Sequence, residues 1–283
     1  MKKYIYNISL LLVTALALVG CKEEAGTEPG NDSHPVATLF KQTAQAPLNP
    51  DNDALIRIGT NAAVESVYYL AEENEVYKKN LASMGAEGYN EHVVKNGKKV
   101  ENLGASSTAD ITVTNLQGEY TITTVAVHGG VKQATTTSFF GLIWADVVSG
   151  KFQVSVKDGN LSLAKYGLGE YPGATLQKCT NKEGLYRIKD AYGAGNHLKM
   201  TVSGAQQENE NGKFYYVRIT AQPTGIVHAK LGMFNVRDVA EWQNNEQYAT
   251  SMMYENGYCD LFNQYFVSAG NAGYGSDLFT PGN

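Results

Sequence analysis

Short runs in which apolar and polar residues alternate recur along the chain from about residue 53 to its end. Examples are residues 55–59, 120–127, 214–220 and 264–269, and turn residues separate them. A run of this kind presents one apolar face, as a half-buried β-strand does. The 29 glycines and 18 tyrosines of the chain also fit strands joined by many turns. We therefore predict a mostly all-β protein.

The N-terminus has the parts of a secretory signal. Lys2 and Lys3 precede an apolar run over residues 10–19, which is shorter than the roughly 20 residues that a membrane-spanning helix needs. The sequence Leu-Val-Gly-Cys that ends at Cys21 resembles the bacterial lipobox. That resemblance implies acylation of the Cys21 thiol and cleavage before it, and a plain secretory signal is the alternative.

The residues after Cys21 carry a second resemblance. Lys22, Glu23 and Glu24 are similar to the export signal of Bacteroidetes lipoproteins, a lysine followed by acidic residues. This implies a lipid-anchored protein of the outer membrane that faces the cell exterior, with a periplasm-facing location as the alternative. Two or three acyl chains on Cys21 would make the outer membrane a stable partner of the chain.

Composition divides the rest of the chain. Residues 1–20 are the predicted signal peptide, and residues 21–52, rich in Gly, Pro, Asn and Glu, are the predicted lipidated cysteine and flexible tether. We predict a first domain over 53–140 and a second, β-rich ligand-binding domain over 141–283. Within the first, residues 72–81 have helical spacing and oppositely charged residues three to four apart, which predicts an inserted helix.

The stretch from Leu116 to Val127 resembles the part of fibronectin type III domains that contains a tyrosine corner. In that corner the hydroxyl of Tyr120 would bind nearby backbone, and Leu116 would fill the core. The fold class implied is an Ig/fibronectin type III-like β-sandwich with an inserted helix, a helix that the family does not usually carry. A second β-sandwich or barrel domain would follow. Residues 144–152 and 184–193 resemble uncharacterised Bacteroidetes surface lipoproteins, in which such a domain follows a fibronectin-like one.

Two cysteines remain beyond Cys21. Cys179 and Cys259 can form a disulfide in an oxidising location, or they can be two separately buried thiols.

The sequence contains no recognisable catalytic motif. Its five histidines have no metal-ligand spacing, and it has neither a GxSxG elbow nor a Walker loop, so we predict no metal, no cofactor and no enzymatic activity. The net charge of −5 argues against nucleic acid as a partner. A glycoside hydrolase stays as a lesser alternative, because carboxylate pairs meet in space and not in sequence. The second domain has five candidate carboxylates: Asp146, Asp158, Glu170, Asp190 and Asp260.

Aromatic residues near loops give the best lead to function. Sugars present flat apolar faces ringed by hydroxyls, so their sites combine aromatic platforms with polar groups. Trp242 is followed by amides and a carboxylate, which is that mixture. The candidate ligand-binding residues are Trp242, Trp144, Tyr192, Tyr248, Asn244 and Asn245; both tryptophans could instead be core residues.

These observations predict a non-catalytic binding module for a glycan in an outer-membrane uptake system, with a polysaccharide or an outer-membrane transport complex as the partner. A structural or adhesive protein-binding lipoprotein is the alternative.

Overall fold

The computed structural model describes residues 34–45, 47–154 and 163–282. The predicted signal peptide, the lipidation site Cys21 and the first part of the tether lie outside the described residues. The described chain divides into two compact units. The first comprises the residues up to Asn115 together with Glu119–Phe139, and the second comprises Leu116–Gly118 and the residues from Phe140 onward.

The first unit is built from two antiparallel sheets. Its strands are β1 (Ala37–Gln42), β2 (Ala54–Thr60), β3 (Ser66–Glu73), β4 (Lys98–Lys99), β5 (Thr108–Val113), β6 (Gly118–His128) and β7 (Val131–Gly141). One sheet has the order β1-β2-β5 and the other β4-β3-β6-β7. Alternate residues of the strands, such as Ile56, Ile58 and Val67, are buried. This arrangement of three and four strands agrees with the predicted fibronectin-like class.

The inserted helix is longer than the sequence indicated. Helix α1 (Asn74–Asn96) begins two residues later than predicted, because residues 72 and 73 still belong to β3. It is interrupted at Gly85, where φ is 68°. Past that break, Tyr89 and Val93 are buried against Val125 of the sheet. These contacts sustain the second half of the helix, which has no strong periodicity of its own.

Two local expectations for the first unit need correction. Strand β1 lies inside the predicted tether, because Ala37 is buried and the strand pairs with β2 over its whole length. Leu116 is buried as the tyrosine corner requires, and Tyr120 lies near the start of β6. Among the described residues, however, no backbone group accepts a hydrogen bond from the Tyr120 hydroxyl. The hydrogen bond that defines a tyrosine corner is therefore missing among them.

The second unit is a barrel. Its strands are β8 (Trp144–Gln153), β9 (Glu170–Cys179), β10 (Leu185–Lys189), β11 (Leu198–Asn209), β12 (Gly212–Arg218), β13 (Gln222–His228), β14 (Gly232–Asp238), β15 (Met252–Tyr254), β16 (Cys259–Val267) and β17 (Gly270–Pro281). The strand order β16-β15-β12-β11-β10-β9-β8-β17 closes on itself through pairing of β17 with β16. β14 pairs with the remaining part of β16 and carries β13 at its edge. A barrel is therefore the correct one of the two predicted alternatives.

Side chains that point inward fill the barrel. The members of this buried set pack into one apolar cluster. It includes Phe152, Leu176, Ile188, Val217, Phe234, Leu261, Tyr265 and Phe279. Among the described residues, no helix is both long enough and apolar enough to cross a membrane.

Closure of the barrel depends on Gly150. A Cβ atom at this position would lie 2.2 Å from the carbonyl oxygen of Thr280, which belongs to the paired strand β17. We expect Gly150→Ala to lower the free energy of unfolding of the second unit by about 1–3 kcal/mol, because backbone must shift. Urea denaturation checks this. Gly169→Ala is the matched control, since a Cβ there meets nothing within 4 Å, and equal stability of the two variants would contradict the prediction.

Candidate functional site

Three aromatic side chains form a cluster on the surface of the second unit. The ring centroids of Trp242 and Tyr274 lie 5.4 Å apart, and those of Phe262 and Tyr274 lie 6.1 Å apart. Tyr274 is 44% exposed, while Trp242 and Phe262 are half-buried. We call this cluster the aromatic platform. Its rings are held by packing and still face solvent, which suits stacking on an apolar ligand face.

The strand register places two of the three rings. Tyr274 on β17 is opposite Gln264 on β16, and Phe262 is opposite Ser276. Successive side chains of a strand point to opposite faces. Since Asn263 and Tyr265 point into the barrel, Phe262 and Gln264 point to the opposite face of the sheet. There Phe262 is half-buried, and Gln264 is only 1% exposed because neighbouring side chains cover it. The core pattern of β16 thus puts Phe262 and Tyr274 on one outer surface.

The third ring is held by a short helix, α2 (Val239–Gln243). Asp238 caps the helix: its side chain accepts hydrogen bonds from the backbone N–H of Glu241 at 2.6 Å and of Ile219 at 3.0 Å. The carboxylate also accepts from the Nε of Arg218 at 2.8 Å and is only 2% exposed. The guanidinium of Arg218 reaches Glu246 as well, and these carboxylates raise the arginine pKa. This network fixes the orientation of helix α2 after strand β14, and with it the position of the Trp242 side chain.

Polar side chains adjoin the platform on the same outer face. Nε of Arg237 donates to Oε1 of Gln264 at 2.9 Å, and Nε2 of Gln264 donates to Oδ1 of Asn271 at 2.9 Å. The Arg237 guanidinium lies over the Phe266 ring, 4.7 Å from its centroid. Because Arg237 and Tyr274 are both opposite Gln264, the three form a row across β14, β16 and β17.

The predicted residues near Trp242 have different surroundings. Asn244 ends helix α2 in the left-handed conformation, with φ of 49°. The side chain of Asn245 accepts from the backbone N–H of Gln247, which forms a cap on the next turn. Both amides are exposed. Tyr248 is 44% exposed, but no aromatic ring among the described residues contacts it.

Trp144 belongs to another group of side chains. Its ring carries the guanidinium of Arg187 at 4.3 Å, and Arg187 donates through Nε to Gln177. Gln177 in turn donates to Asp146. Arg187 and Gln177 are buried. Trp144 therefore covers a polar network on strands β8, β9 and β10. Its ring contacts the guanidinium of Arg187 and is not part of the aromatic platform.

Tyr192 is not a surface residue, which corrects its place in the predicted site. It is only 1% exposed and packs edge-on against Phe152. Its hydroxyl lies 3.1 Å from that of Tyr265, which donates to Asp277. Burial raises the pKa of Tyr192 and Tyr265, and the nearby Asp277 raises both further. A ring in this position fills the barrel and cannot stack on an external ligand.

Cys179 and Cys259 are free and buried, so the predicted alternative of two separate thiols describes them and a disulfide does not. The Cys179 thiol contacts Oδ1 of Asn181, and that of Cys259 contacts the carbonyl oxygen of Gly257. Burial raises the pKa of the Cys259 thiol, and the charge of Asp260 adds to this effect. Its thiolate form is disfavoured, which makes Cys259 a poor nucleophile.

The other candidate chemistry is dispersed. Over residues 34–45, 47–154 and 163–282, no group of three His, Cys, Asp or Glu side chains is arranged to hold a metal ion. Asp146, Glu170 and Asp190 bind Gln177, Gln153 and the N–H of Gly195 respectively, and Asp158 lies outside the described residues. An open groove of about 610 Å³ runs between the ends of β8 and β17, and the described residues that line it include no aromatic side chain.

Comparisons with known proteins add little. No protein-family model matches the chain, and no curated protein matches it. The Kfla1895 mutant in complex with cyclobis-(1→6)-alpha-nigerosyl aligns with a TM-score of 0.24 and 11% identity, over 82% of this chain and 29% of that chain. The same mutant in complex with isomaltose gives a TM-score of 0.23 and 11% identity, over 82% and 28% of the two chains. These scores are too low to carry an argument about function.

Proposed function

We propose that this chain is a lipid-anchored protein of the bacterial cell surface whose second unit binds a glycan without cleaving it. The observation that carries the proposal is the aromatic platform of Trp242, Tyr274 and Phe262, beside the half-buried guanidinium of Arg237, which the buried amide of Gln264 holds in place. An aromatic face next to fixed hydrogen-bonding groups is the combination that a sugar ring needs.

Binding would use stacking and hydrogen bonds together. The exposed face of Tyr274 offers an apolar surface for the C–H face of one sugar ring, and the tilted Trp242 indole, 5.4 Å away, borders it. The hydrogen bonds would come from the half-buried Arg237, whose Nε is already fixed by the buried amide of Gln264. Groups that are already ordered cost little entropy when they bind, so a shallow site of this kind can still hold a polysaccharide.

The cellular role of the proposal rests on the sequence alone. The lipobox-like segment at Cys21 and the acidic export-type signal after it favour anchoring in the outer membrane of a Bacteroidetes cell, with the protein facing the exterior. The proposed partner is a polysaccharide that the protein holds near an outer-membrane transporter. The first unit, with its fibronectin-like strands, would then be a spacer between lipid and ligand.

Loss of the platform is expected to weaken glycan binding by ten-fold or more, because truncation of a central aromatic contact typically costs about 2 kcal/mol or more. The full chain, purified in detergent, would be applied to a glycan array beside Trp242→Ala and Tyr274→Ala. Tyr216→Ala is the matched control, since Tyr216 is 37% exposed and also has an edge-on aromatic neighbour, Phe214.

Glycan binding that survives both platform substitutions would contradict the proposed site. Failure of the unaltered chain to bind any glycan would contradict the proposed function, and it would favour the alternative of a structural or adhesive protein-binding lipoprotein.

A further inference from the structure

We infer that the glycan bound at the platform is acidic, and that Arg237 pairs with its carboxylate or sulfate group. This inference rests on the proposed function, because it names the ligand class of the same site. It starts from the surroundings of Arg237 on β14.

Arg237 lacks the carboxylate partner that Arg57 and Arg218 have. Arg57 binds Asp110, and Arg218 binds Asp238 and Glu246. Among the described residues, no carboxylate lies within ion-pair distance of Arg237, whose one hydrogen bond there goes to the neutral amide of Gln264.

The geometry of Arg237 leaves its charge available. The guanidinium lies over the Phe266 ring, and all N–H groups of a guanidinium lie in its own plane. Nε is used by Gln264, and no described residue accepts a hydrogen bond from the two terminal nitrogens. Arg237 is only half-buried. Two terminal nitrogens in a fixed plane can bind both oxygens of a carboxylate or sulfate group.

The spacing suits a sugar that carries such a group. Arg237 and Tyr274 are on the two strands that flank β16, so their backbones are about 10 Å apart. With Gln264 between them, a sugar ring stacked on Tyr274 can direct an acidic substituent, its own or its neighbour's, toward Arg237.

The net negative charge of the chain means that an acidic ligand needs a local positive group. The net charge is −5, so the protein as a whole repels polyanions. Binding of an acidic polysaccharide would therefore have to come from a local cation and not from a general basic surface. It should weaken as salt is raised, because a half-exposed ion pair is screened.

The test is a binding panel of acidic and neutral polysaccharides for the full chain in detergent. It includes two matched pairs, polygalacturonate with its methyl ester and dextran sulfate with dextran, which separate carboxylate from sulfate recognition. Arg237→Gln is expected to weaken binding of the best acidic ligand about ten-fold or more, and Arg237→Lys to restore part of it. Arg57→Gln, which removes an equal charge in the first unit, should bind like the unaltered chain.

The outcomes separate this inference from the function on which it rests. A best ligand that is acidic, sensitive to salt and sensitive to Arg237→Gln supports both. A best ligand that is neutral, sensitive to Trp242→Ala and indifferent to Arg237→Gln would overturn the inference and leave the proposed function standing. Binding to no glycan would overturn both. If Arg237→Gln unfolds at the same temperature as the unaltered chain, its loss of binding is not caused by loss of the fold.

Discussion

Above pH 10 the second unit is expected to lose stability through two tyrosines alone, by at most about 3 kcal/mol for each pH unit in which the folded state retains both protons. Tyr192 and Tyr265 are buried, and their pKa values lie well above the usual value, first because of burial and then because of Asp277. In the unfolded chain both hydroxyls ionise near pH 10. Above that pH the unfolded state releases two protons that the folded state retains, so stability falls as pH rises.

The measurement is urea denaturation at several pH values, followed by tryptophan fluorescence. Both tryptophans of the chain, Trp144 and Trp242, are in the second unit and so report on it. The double variant Tyr192→Phe/Tyr265→Phe should lose about 3 kcal/mol per pH unit of this dependence. The double variant Tyr216→Phe/Tyr248→Phe removes two exposed hydroxyls and should keep it. An unchanged slope in the first double variant would contradict the account of the barrel interior.

Replacing Asp238 with alanine is expected to lower the free energy of unfolding of the second unit by about 3–5 kcal/mol. The substitution leaves the N–H groups of Ile219 and Glu241 without their acceptor and removes the buried partner of Arg218. Asp238 also caps helix α2, so its loss should displace Trp242 from the aromatic platform. Glycan binding should then fall by more than ten-fold.

Urea denaturation and the glycan array measure the two effects. Glu246→Ala is the control, because Glu246 binds the same guanidinium but its side chain is 80% exposed, and such pairs contribute below about 1 kcal/mol. If Asp238→Ala were no less stable than Glu246→Ala, Asp238 would not be the residue that fixes helix α2.

The all-β class could be predicted because it depends on local pattern. The alternation in residues 55–59, 120–127 and 214–220 corresponds to β2, β6 and β12, and turn residues bound each run. Closure of the barrel could not be predicted. It requires β8 near the start of the second unit to pair with β17 at the end of the chain, and no local signal encodes that pairing.

The bounds of helix α1 and of the tether also depend on contacts between residues far apart in the sequence. The charges and apolar spacing of residues 72–81 predicted a helix, but its second half depends on contacts of Tyr89 and Val93 with the sheet. Strand β1 lies in the segment that is predicted as tether because it is rich in Gly, Pro, Asn and Glu, and pairing with β2 gives it a strand conformation. Tertiary contacts override propensity at both places.

The candidate site was predictable in one residue and not in its neighbours. Trp242 could be singled out because amides and a carboxylate follow it. Phe262 and Tyr274 come from strands 20 and 32 positions further along the chain, and only the register of β16 and β17 brings them to one face. Tyr192 shows the opposite error, since a tyrosine beside glycines reads as a loop residue while its ring fills the barrel.

The most direct test of the proposed function observes Trp242 itself. In the full chain with Trp144→Phe, Trp242 is the only indole, and its fluorescence would be titrated with the polysaccharides of the panel in the presence of acrylamide. We predict that a bound polysaccharide shifts the emission of Trp242 and protects it from quenching, and that Tyr274→Ala abolishes both effects. Emission and quenching that stay unchanged at saturating concentrations of every polysaccharide would contradict the claim that the platform binds glycan.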